Sequence, residues 1–474
     1  METAHIRDYR GKRIHLIGIG GSSMSGLAEM LITEGYRVSG SDRDEGYLIH
    51  HVREKGGEVM IGHRAENVRG ADLVVYSAAI HPDNPERMEA DRLGIPSIER
   101  AELLGQLMDG YDRAVGICGA HGKTTVTSML SQILMEAGKD PSVHIGGRLD
   151  AIGGSVRVGG SDLFVAEACE YNRSFLHMHP RMAVVLNIDA DHLDCYRDLD
   201  EIEDTFGIFL HQLPDDGIAI GNGDDPRVRR QINRLKCRKV FFGSDGENDW
   251  YPERIEEDGE GYATFNVMHC GRKAARLKMG VPGDFNRMNA LAAFAAAVEL
   301  GVLPSEAAAS LERFTGAHRR FERTDVIDGV EIFHDYGHNP TEMRNALSIA
   351  RKRCHGRLWA VMQPHTFSRV RTLFDQYLTC TEAADYTLVT DICAAREADP
   401  GDLNSGMLVD GMRENGIDAF WTPTFDDTEA YLRSHWQSGD LVLTMGCGDI
   451  NLLNDQIHRH QLQREQDKEG GSQL

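Results

Sequence analysis

The sequence predicts an α/β protein of three domains whose strands form parallel sheets. An apolar strand, a glycine turn and a helical pattern occur in succession at residues 14–34 and again at 114–136. A weaker strand and turn follow at residues 358–366. Strands that alternate with helices in this way are typical of parallel sheets. The length of 474 residues suits three domains of moderate size, and with 41% apolar residues each domain can bury a core.

Each element follows from an apolar run and the turn that ends it. We expect the first strand at residues 14–17 with a helix over 24–34, and a later strand at 114–118 with a helix through Glu136. The same reasoning predicts further strands at the remaining apolar runs, which are residues 73–76, 163–166, 183–187 and 358–362. The charged tail from residue 461 onward becomes rich in glycine and serine, so we expect it to be frayed.

Two short stretches predict the domain boundaries. A polar stretch near residue 110 precedes the second strand–turn–helix unit, and a glycine turn near residue 316 precedes a predicted strand pair. The expected domains are therefore residues 1–110, 111–315 and 316–474.

The composition argues against several classes of protein. The formal charge of −23 disfavours a nucleic-acid surface, which would need a basic stripe. No apolar run reaches the length of a membrane span, and the polar first residues lack the apolar region of a secretory signal. The nine cysteines are scattered without a CxxC pair, which favours reduced thiols over a zinc site. We therefore expect a cytoplasmic protein with no nucleic-acid or membrane partner.

The strongest functional signal is the loop Gly-Ala-His-Gly-Lys-Thr-Thr at residues 119–125, directly after an apolar strand. Its glycines allow backbone N–H groups to turn toward a phosphate, and the positive end of the next helix points to the same place. Lys123 can reach the outer phosphates, and a threonine hydroxyl can ligate Mg²⁺. The ordinary P-loop pattern would need glycine where the chain has Ile117. A plain tight turn is the alternative, but Lys-Thr-Thr after glycine favours a nucleotide loop.

A second glycine turn, Gly-Ile-Gly-Gly at residues 18–21, follows the first strand. It is typical of dinucleotide-binding turns, although the third glycine of that fingerprint is replaced by Ser23. Asp42 lies at the end of the next strand, where a ribose hydroxyl would be met. The residues alone allow NAD, the diphosphate of another nucleotide such as a UDP-sugar, or no ligand.

An acidic centre follows two further strands. Glu167 comes just after one strand, and Asp189, Asp191, His192 and Asp194 come just after another. Ligands of open α/β sheets gather at the carboxyl ends of strands, so these groups are candidates to meet Mg²⁺ bound to phosphate. The alternative for Asp191 or Asp194 is a helix N-cap, and for His192 a buried structural histidine. No lysine occurs between residues 141 and 235, so the chain cannot supply a local carbamylated lysine as a metal bridge.

Cations and imidazoles follow apolar strands in the last third of the chain. They are Arg319, Arg320, His338, His365 and Arg369. Arginine is suited to bidentate binding of carboxylate or phosphate. A plain surface role is open for any one of these residues, but their common position after strands in an acidic chain favours a binding site.

With these residues in hand, the chain resembles the Mur ligase family over nearly its whole length. The pieces that carry the resemblance are the first glycine turn with residues 24–28, the strand end at 39–42, the loop at 121–125, and the stretches 187–194, 335–342 and 363–369. The resemblance implies a Rossmann-like N-terminal domain for a UDP-sugar, a central P-loop-type α/β domain for ATP, and a Rossmann-like C-terminal domain. The last domain would bring the amino acid and close over both ligands.

The implied activity is that of an ATP-dependent ligase in peptidoglycan precursor synthesis. It would join an amino acid, L-alanine first among them, to the carboxylate of a UDP-N-acetylmuramate-type nucleotide sugar through an acyl phosphate. The implied cofactors are ATP and Mg²⁺, with Mn²⁺ as the alternative cation, and the expected assembly is a monomer or a homodimer.

The resemblance also assigns roles to individual residues. The expected ATP contacts are Gly119, Ala120, His121, Gly122, Lys123, Thr124, Thr125, Asn286, Asn289, Arg319 and Asp335. The expected substrate contacts are Gly18, Gly20, Gly21, Ser22, Asp42, His63, Ser77, Arg320, His338, His365 and Arg369. The expected metal ligands are Thr124, Thr125, Glu167 and His192, and the catalytic roles fall to Lys123, His338 and Arg369.

Several positions depart from the family pattern. They are Phe285 and Asn339 where the family usually has histidine, His334 where it has an acid, Ala120 where it has threonine or serine, and Cys169 where it has aspartate. These departures leave open a related ligase acting on another UDP-sugar or on a muropeptide. A nicotinamide dehydrogenase would explain the first glycine turn but not Lys123, and a nucleotide-binding regulator would not explain the cations of the last third.

Overall fold

Three β-sheets organise the chain in a computed structural model that describes residues 4–191, 195–395 and 397–471. Each sheet is formed by one continuous part of the sequence, in the order N-terminal, central and C-terminal. This arrangement confirms the predicted three-domain α/β fold. Among the described residues, no helix is both long and apolar enough to cross a membrane.

The N-terminal sheet has five strands, all parallel, in the order β3-β2-β1-β4-β5. Its strands are β1 (Arg13–Ile17), β2 (Arg37–Asp42), β3 (Glu58–Ile61), β4 (Leu73–Tyr76) and β5 (Ser97–Glu99). Its helices are α1 (Ser22–Thr33), α2 (Tyr47–Glu54), α3 (Pro85–Leu93) and α4 (Arg100–Met108), with short 3₁₀ helices at Ile6–Tyr9 and Ala65–Val68.

The central sheet has ten strands in the order β15-β14-β13-β12-β11-β10-β6-β9-β7-β8. Its strands are β6 (Arg113–Cys118), β7 (Ser142–Leu149), β8 (Gly154–Arg157), β9 (Leu163–Glu167), β10 (Met182–Val185), β11 (Ile218–Asn222), β12 (Arg238–Phe242), β13 (Trp250–Glu257), β14 (Ala263–His269) and β15 (Arg272–Lys278). Its helices are α5 (Lys123–Glu136), α6 (Leu199–Leu210), α7 (Pro226–Asn233), α8 (Asp284–Glu299) and α9 (Pro304–Arg313), with 3₁₀ helices at Asp150–Ile152 and Tyr171–His177. The core strands are parallel, whereas β8, β14 and β15 run antiparallel to their neighbours.

The C-terminal sheet has six strands in the order β16-β17-β21-β18-β19-β20, and all but the edge strand β16 are parallel. Its strands are β16 (Glu322–Ile327), β17 (Val330–Asp335), β18 (Leu358–Met362), β19 (Tyr386–Val389), β20 (Ala419–Trp421) and β21 (Leu441–Met445). Its helices are α10 (Pro340–Arg353), α11 (Phe367–Thr372), α12 (Phe374–Tyr377), α13 (Ser405–Glu414), α14 (Phe425–His435) and α15 (Asn451–Gly471).

The first two domains share one apolar core, which runs from Leu27 and Leu104 to Phe175 and Phe206. Their backbones approach closely, since a Cβ added at Gly105 would lie 1.8 Å from the carbonyl oxygen of His177. The C-terminal domain instead has an apolar cluster of its own on each face of its sheet. The N-terminal and central domains are therefore packed as one unit.

The structure corrects several predicted bounds. Helix α1 begins at Ser22, two residues before the predicted start, because Gly21 is already in the extended N-cap conformation. Strand β10 ends at Val185 and not at residue 187, because the Asn187 side chain is used to hold a neighbouring loop. The tail predicted to be frayed from residue 461 continues as helix α15 to Gly471, since the segment 461–469 is rich in good helix formers.

The alternative of a helix cap at Asp191 or Asp194 involves positions 192–194, which the structure does not describe. Helix α6 begins at Leu199, and its N-cap is Asp198, whose carboxylate accepts from the Glu201 N–H at 2.9 Å. Asp191 lies 3.5 Å from Arg369 of the C-terminal domain. His192 and Asp194 lie outside the described residues.

Candidate active site

The loop between β6 and α5 is held by a side chain from the neighbouring strand. Asn187, just beyond β10, accepts a hydrogen bond from the His121 N–H at 2.8 Å and donates one to the His121 carbonyl at 3.0 Å. Gly122 has φ +88°, and a Cβ there would lie 2.6 Å from the Asn289 amide oxygen. The loop conformation therefore requires glycine at this position and leaves the N-terminus of α5 open toward the cleft.

Lys123 is the cation of this loop. Its ammonium group donates to both carboxylate oxygens of Glu170, at 2.9 and 3.0 Å, and to the carbonyl oxygen of Gly119 at 2.5 Å. Burial alone would lower the pKa of Lys123, but the carboxylates of Glu170 and Glu167 and the neighbouring Cys169 raise it above its ordinary value. The lysine is therefore held as a partly buried cation at the start of α5.

Glu167, Thr124 and Arg320 converge beside the lysine. The Glu167 carboxylate accepts from the Gly146 N–H at 2.8 Å, and burial raises the pKa of this carboxyl. The Arg320 guanidinium, which comes from the C-terminal domain, donates to the Thr124 hydroxyl at 3.4 Å. Within the described part of the chain, no group of three or more His, Cys, Asp or Glu side chains is arranged to hold a metal ion. A carboxylate and a hydroxyl here fit a cation such as Mg²⁺ that takes its other ligands from phosphate and water.

His121 joins the central and C-terminal domains. One ring nitrogen lies 3.2 Å from the Glu342 carboxylate of α10 and the other 3.3 Å from the Asp189 carboxylate. Burial alone would lower the pKa of His121, but the hydrogen bonds to Asp189 and Glu342 outweigh burial and raise it to about 10. The ring is therefore an imidazolium that bridges two carboxylates from different domains.

A cavity of about 560 Å³ opens beside the loop, between the central and C-terminal domains. Its lining includes His121, Gly122, Thr125, Tyr262, Phe285, Asn286, His318, Arg320, Asp335 and Glu342. Asn289 lies behind this lining and donates to the Asn286 side chain at 3.2 Å. The cavity thus combines an aromatic and amide wall at one end with the loop and its cations at the other.

Arg319 and Asp335 belong to the framework of this cavity. The Arg319 guanidinium donates to His334 at 2.9 Å and to the Gly448 carbonyl at 3.1 Å, so it is directed into the C-terminal sheet. The Asp335 carboxylate accepts from the Phe321 N–H at 2.8 Å, and burial raises the pKa of its carboxyl. Of these two adjacent arginines, Arg320 is the one that lines the cavity.

The C-terminal side of the site brings His338, His365 and Arg369 together. The His338 and His365 rings are 6.2 Å apart between centroids, and Arg369 lies 3.2 Å from a nitrogen of His365. His338 lies 3.4 Å from Glu342, yet burial dominates and lowers the pKa of the imidazole below its ordinary value. His338 is therefore held as a neutral base near the Arg369 guanidinium.

The N-terminal site residues lie at the carboxyl edge of the first sheet. The Asp42 carboxylate accepts from the Gly20 N–H at 2.8 Å, and Gly21 is the N-cap of α1, directly before Ser22. Gly18 has φ +81°, as the turn requires. His63 lies 3.0 Å from the Ser41 hydroxyl at the end of β2, and Ser77 is half-buried just after β4. These groups share one edge of the sheet.

The sequence analysis did not place four further residues in the site. Glu170, the partner of Lys123, follows strand β9, and Asn187 lies at the end of a predicted strand. From the sequence alone, neither residue has a role in the site. Glu342 was part of the resemblance, but nothing in the sequence tied it to His121. Glu86 gave no sequence signal, because it lies in a charged helix that reads as a surface element.

Three family models match consecutive parts of the chain. They are the Mur ligase family catalytic domain over residues 13–112, the Mur ligase middle domain over residues 117–297, and the Mur ligase glutamate ligase domain over residues 319–448.

Individual relatives are similar over nearly the whole chain. The UDP-N-acetylmuramate–L-alanine ligase of Acetivibrio thermocellus is 43% identical, over 95% of this chain and 96% of the relative. The enzyme of the same name from Caldanaerobacter subterraneus is 45% identical, over 93% and 95%.

Solved structures show the same relationship. The crystal structure of UDP-N-acetylmuramate-alanine ligase from Thermotoga maritima has a TM-score of 0.81 at 25% identity, over 96% of this chain and 99% of that one. A murein peptide ligase from Psychrobacter arcticus has a TM-score of 0.73 at 25% identity, over 95% and 98%. The chain belongs to the Mur ligase family.

Proposed function

We propose that this chain is an ATP-dependent ligase that joins L-alanine to the carboxylate of UDP-N-acetylmuramate in peptidoglycan precursor synthesis. The names of the relatives, which share 42–45% identity with nearly the full chain, support this substrate pair. The observation that carries the proposal is the partly buried Lys123 cation beside a cavity that the C-terminal domain closes through Arg320 and Glu342.

The three domains provide three ligand sites in this proposal. The loop at Gly119–Thr125 and the cavity wall at Asn286 hold ATP, and the glycine turn of the N-terminal domain holds the diphosphate of the nucleotide sugar. Glu167 and the hydroxyls of Thr124 and Thr125 are the proposed ligands of Mg²⁺, for which Mn²⁺ is the alternative. The cation supplies charge neutralisation on the phosphate oxygens.

The chemistry has two steps. A carboxylate oxygen of the sugar attacks the γ-phosphorus, which forms an acyl phosphate and releases ADP. The amine of L-alanine then attacks the acyl carbon, forms the amide and releases phosphate. Lys123 and the loop N–H groups stabilise charge on the transferring phosphoryl group, and catalysis here is mainly positioning and electrostatics.

The amine must lose a proton before or during its attack. His338 is the proposed acceptor, because burial lowers its pKa and so keeps the ring neutral near neutral pH. Arg369, which lies 3.2 Å from His365, is the proposed cation for the acyl phosphate or for the amino-acid carboxylate.

The remaining expectations are part of the same proposal. The domains are taken to divide near residues 110 and 316, the assembly to be a monomer or a homodimer, and the site of action to be the cytoplasm. The scattered cysteines, which include no CxxC pair, agree with a reducing compartment.

Product analysis tests the proposal. The protein is mixed with ATP, Mg²⁺, UDP-N-acetylmuramate and an equimolar pool of amino acids, and the products are identified by mass spectrometry. The expected product is the L-alanyl amide, formed with one ADP and one phosphate. A preference for a tripeptide over L-alanine in a parallel reaction would instead support a muropeptide ligase, and reduction of NAD without amide formation would support a dehydrogenase.

A further inference from the structure

A buried carboxylate lies beneath the edge of the N-terminal sheet that carries the proposed sugar site. Glu86 of α3 is fully buried, and it is surrounded by Ser41 from the end of β2, His63 and Asn67 from the segment after β3, and His15 from β1. This group is distinct from the glycine turn and from Asp42. We name these five residues the Glu86 cluster.

Every described partner of the Glu86 carboxylate is a hydrogen-bond donor. One oxygen accepts from the Asn67 amide at 2.5 Å and from the Arg64 N–H at 3.2 Å. The other accepts from the Ser41 hydroxyl at 2.6 Å. Burial alone would raise the pKa of Glu86, but the His15 ring 3.6 Å away and the hydrogen bonds from Ser41 and Asn67 lower it to about 2. The group is therefore an ionised carboxylate, which can only accept.

The direction of the Ser41 proton then fixes the state of His63. Ser41 has one hydroxyl proton, and that proton is donated to Glu86. Nδ1 of His63 lies 3.0 Å from the same hydroxyl oxygen, which can only accept from it. Nδ1 must therefore carry a proton, and in the neutral ring Nε2 is then an acceptor.

The His63 side chain is partly exposed at the carboxyl edge of the N-terminal sheet. The side chain is 22% exposed, whereas the Glu86 side chain beneath it has no exposed surface. Among the described residues, no hydrogen-bond partner lies at Nε2 of His63. The edge that remains for a ligand is therefore the Nε2 edge.

We propose that Glu86 is a positioning residue that acts through Ser41 to hold His63 as the Nδ1–H tautomer, so that Nε2 accepts a hydrogen bond from the nucleotide sugar. The ligand group at that nitrogen is an N–H or O–H donor, which the imide of uracil and a sugar hydroxyl can both provide. This inference rests on the proposed function in one respect, namely that the N-terminal domain binds a UDP-sugar.

The tautomer is measured directly by ¹⁵N NMR of the histidine side chains in full-length protein, in alkaline buffer where free imidazole is neutral. The His63 signals are assigned from their loss in His63→Gln. The wild-type protein is expected to show the proton on Nδ1. A wild-type spectrum with the proton on Nε2 would overturn the proposal without any variant at position 86.

The variant Glu86→Gln reverses the direction of the hydrogen bonds that connect position 86, Ser41 and His63. Its single amide oxygen still faces Asn67 and Arg64, so its NH₂ group faces Ser41, and the Ser41 proton turns toward Nδ1 of His63. We expect the His63 proton to move to Nε2. The matched control is Glu89→Gln on the same helix, because Glu89 pairs with Arg92 and is not part of the Glu86 cluster. An unchanged His63 tautomer in folded Glu86→Gln would contradict the positioning role of Glu86.

Ligand titrations by calorimetry give the functional consequence. Glu86→Gln is expected to bind UDP-N-acetylmuramate roughly tenfold more weakly, about the value of one hydrogen bond, with unchanged ATP affinity. The same loss with UDP alone places the donor in the nucleotide, and a loss only with the full ligand places it in the sugar part. Equal affinity of the wild type and the variant for UDP-N-acetylmuramate would refute the positioning role. Failure of the wild type to bind either ligand would count against the proposed function and leave the tautomer result standing.

Discussion

The turns at Gly18–Gly21 and Gly119–Gly122 each connect a buried parallel strand to the N-terminus of a helix. In the first turn, the Asp42 carboxylate accepts from the Gly20 N–H and so uses one of the turn's donors. In the second, the Lys123 ammonium donates to the Gly119 and Ala120 carbonyl oxygens, and Asn187 holds the loop from outside. The same local geometry therefore presents a carboxylate in one domain and a cation in the other.

Under the proposed function, the strand–turn–helix geometry decides where a ligand binds, and the side chains beside the turn decide which ligand. A carboxylate such as Asp42 suits hydroxyl and N–H donors of a sugar nucleotide. A lysine such as Lys123 suits the concentrated negative charge of a triphosphate. The second turn also meets another domain, because His121 and Thr124 contact Glu342 and Arg320.

The largest effect is expected from removing the cation of the second turn. Lys123→Ala should lower ATP turnover by at least about a thousandfold, because the phosphoryl group loses its nearest positive charge. UDP-N-acetylmuramate affinity should remain within about twofold of the wild type. Phosphate release and calorimetric titration measure the two quantities, with the exposed Lys239→Ala as the control.

Lys123→Ala leaves the Glu170 carboxylate buried without its main partner, which destabilises the fold. The double variant Lys123→Ala/Glu170→Gln removes both charges and is expected to recover thermal stability but not turnover. Normal ATP turnover in either folded variant would contradict the role given to the second turn.

A smaller effect is expected from breaking the contact between the second turn and the C-terminal domain. Glu342→Gln removes one carboxylate from the His121 imidazolium and should lower kcat/KM for ATP by roughly ten- to a hundredfold. A double-mutant cycle with His121→Gln measures the coupling of the pair. Additive effects of the two substitutions would mean that the pair does not join the domains.

The same pair predicts how domain docking depends on pH. The pKa of His121 is raised from 6.5 to about 10 in the folded protein, so the stabilisation by its contacts to Asp189 and Glu342 is complete below pH 6.5 and lost as the pH rises toward 10. The distance between fluorophores on the central and C-terminal domains should therefore increase over this range. His121→Gln should lose this dependence, and an identical pH profile in wild type and variant would argue against the bridge.

The smallest effect is expected at the first turn. Asp42→Ala removes the acceptor for Gly20 N–H and should weaken UDP-N-acetylmuramate binding by about three- to tenfold, the range for one hydrogen bond. ATP affinity should not change. Calorimetric titration with both ligands checks this, and a selective loss of ATP binding would reverse the assignment of the two turns.

Local features of the fold and the second turn could be predicted from the sequence. Strand β4 and the C-terminal end of helix α5 fall where the apolar pattern predicts them, and the loop Gly119–Thr125 is recognisable because all of its signals are adjacent in the chain. A sequence pattern predicts an element best where the residues that determine the element lie within one turn or one strand.

The rest depended on contacts between distant parts of the chain. Glu342 meets His121 across 221 positions, and Glu86 meets Ser41 across 45, so no local pattern connects them. Arg319 and Arg320 are adjacent and chemically identical. A φ of +61° at Arg319 turns the backbone there, so the two side chains point to different places.

The formation of an acyl phosphate is tested most directly by oxygen transfer. UDP-N-acetylmuramate with two ¹⁸O atoms in its carboxylate is turned over with ATP and L-alanine, and the released phosphate is analysed by mass spectrometry. If the carboxylate attacks the γ-phosphorus to form an acyl phosphate, every released phosphate carries one ¹⁸O and the amide product keeps the other. The reason is that the attacking carboxylate oxygen leaves with the phosphorus. Amide formation with ¹⁸O-free phosphate would contradict it.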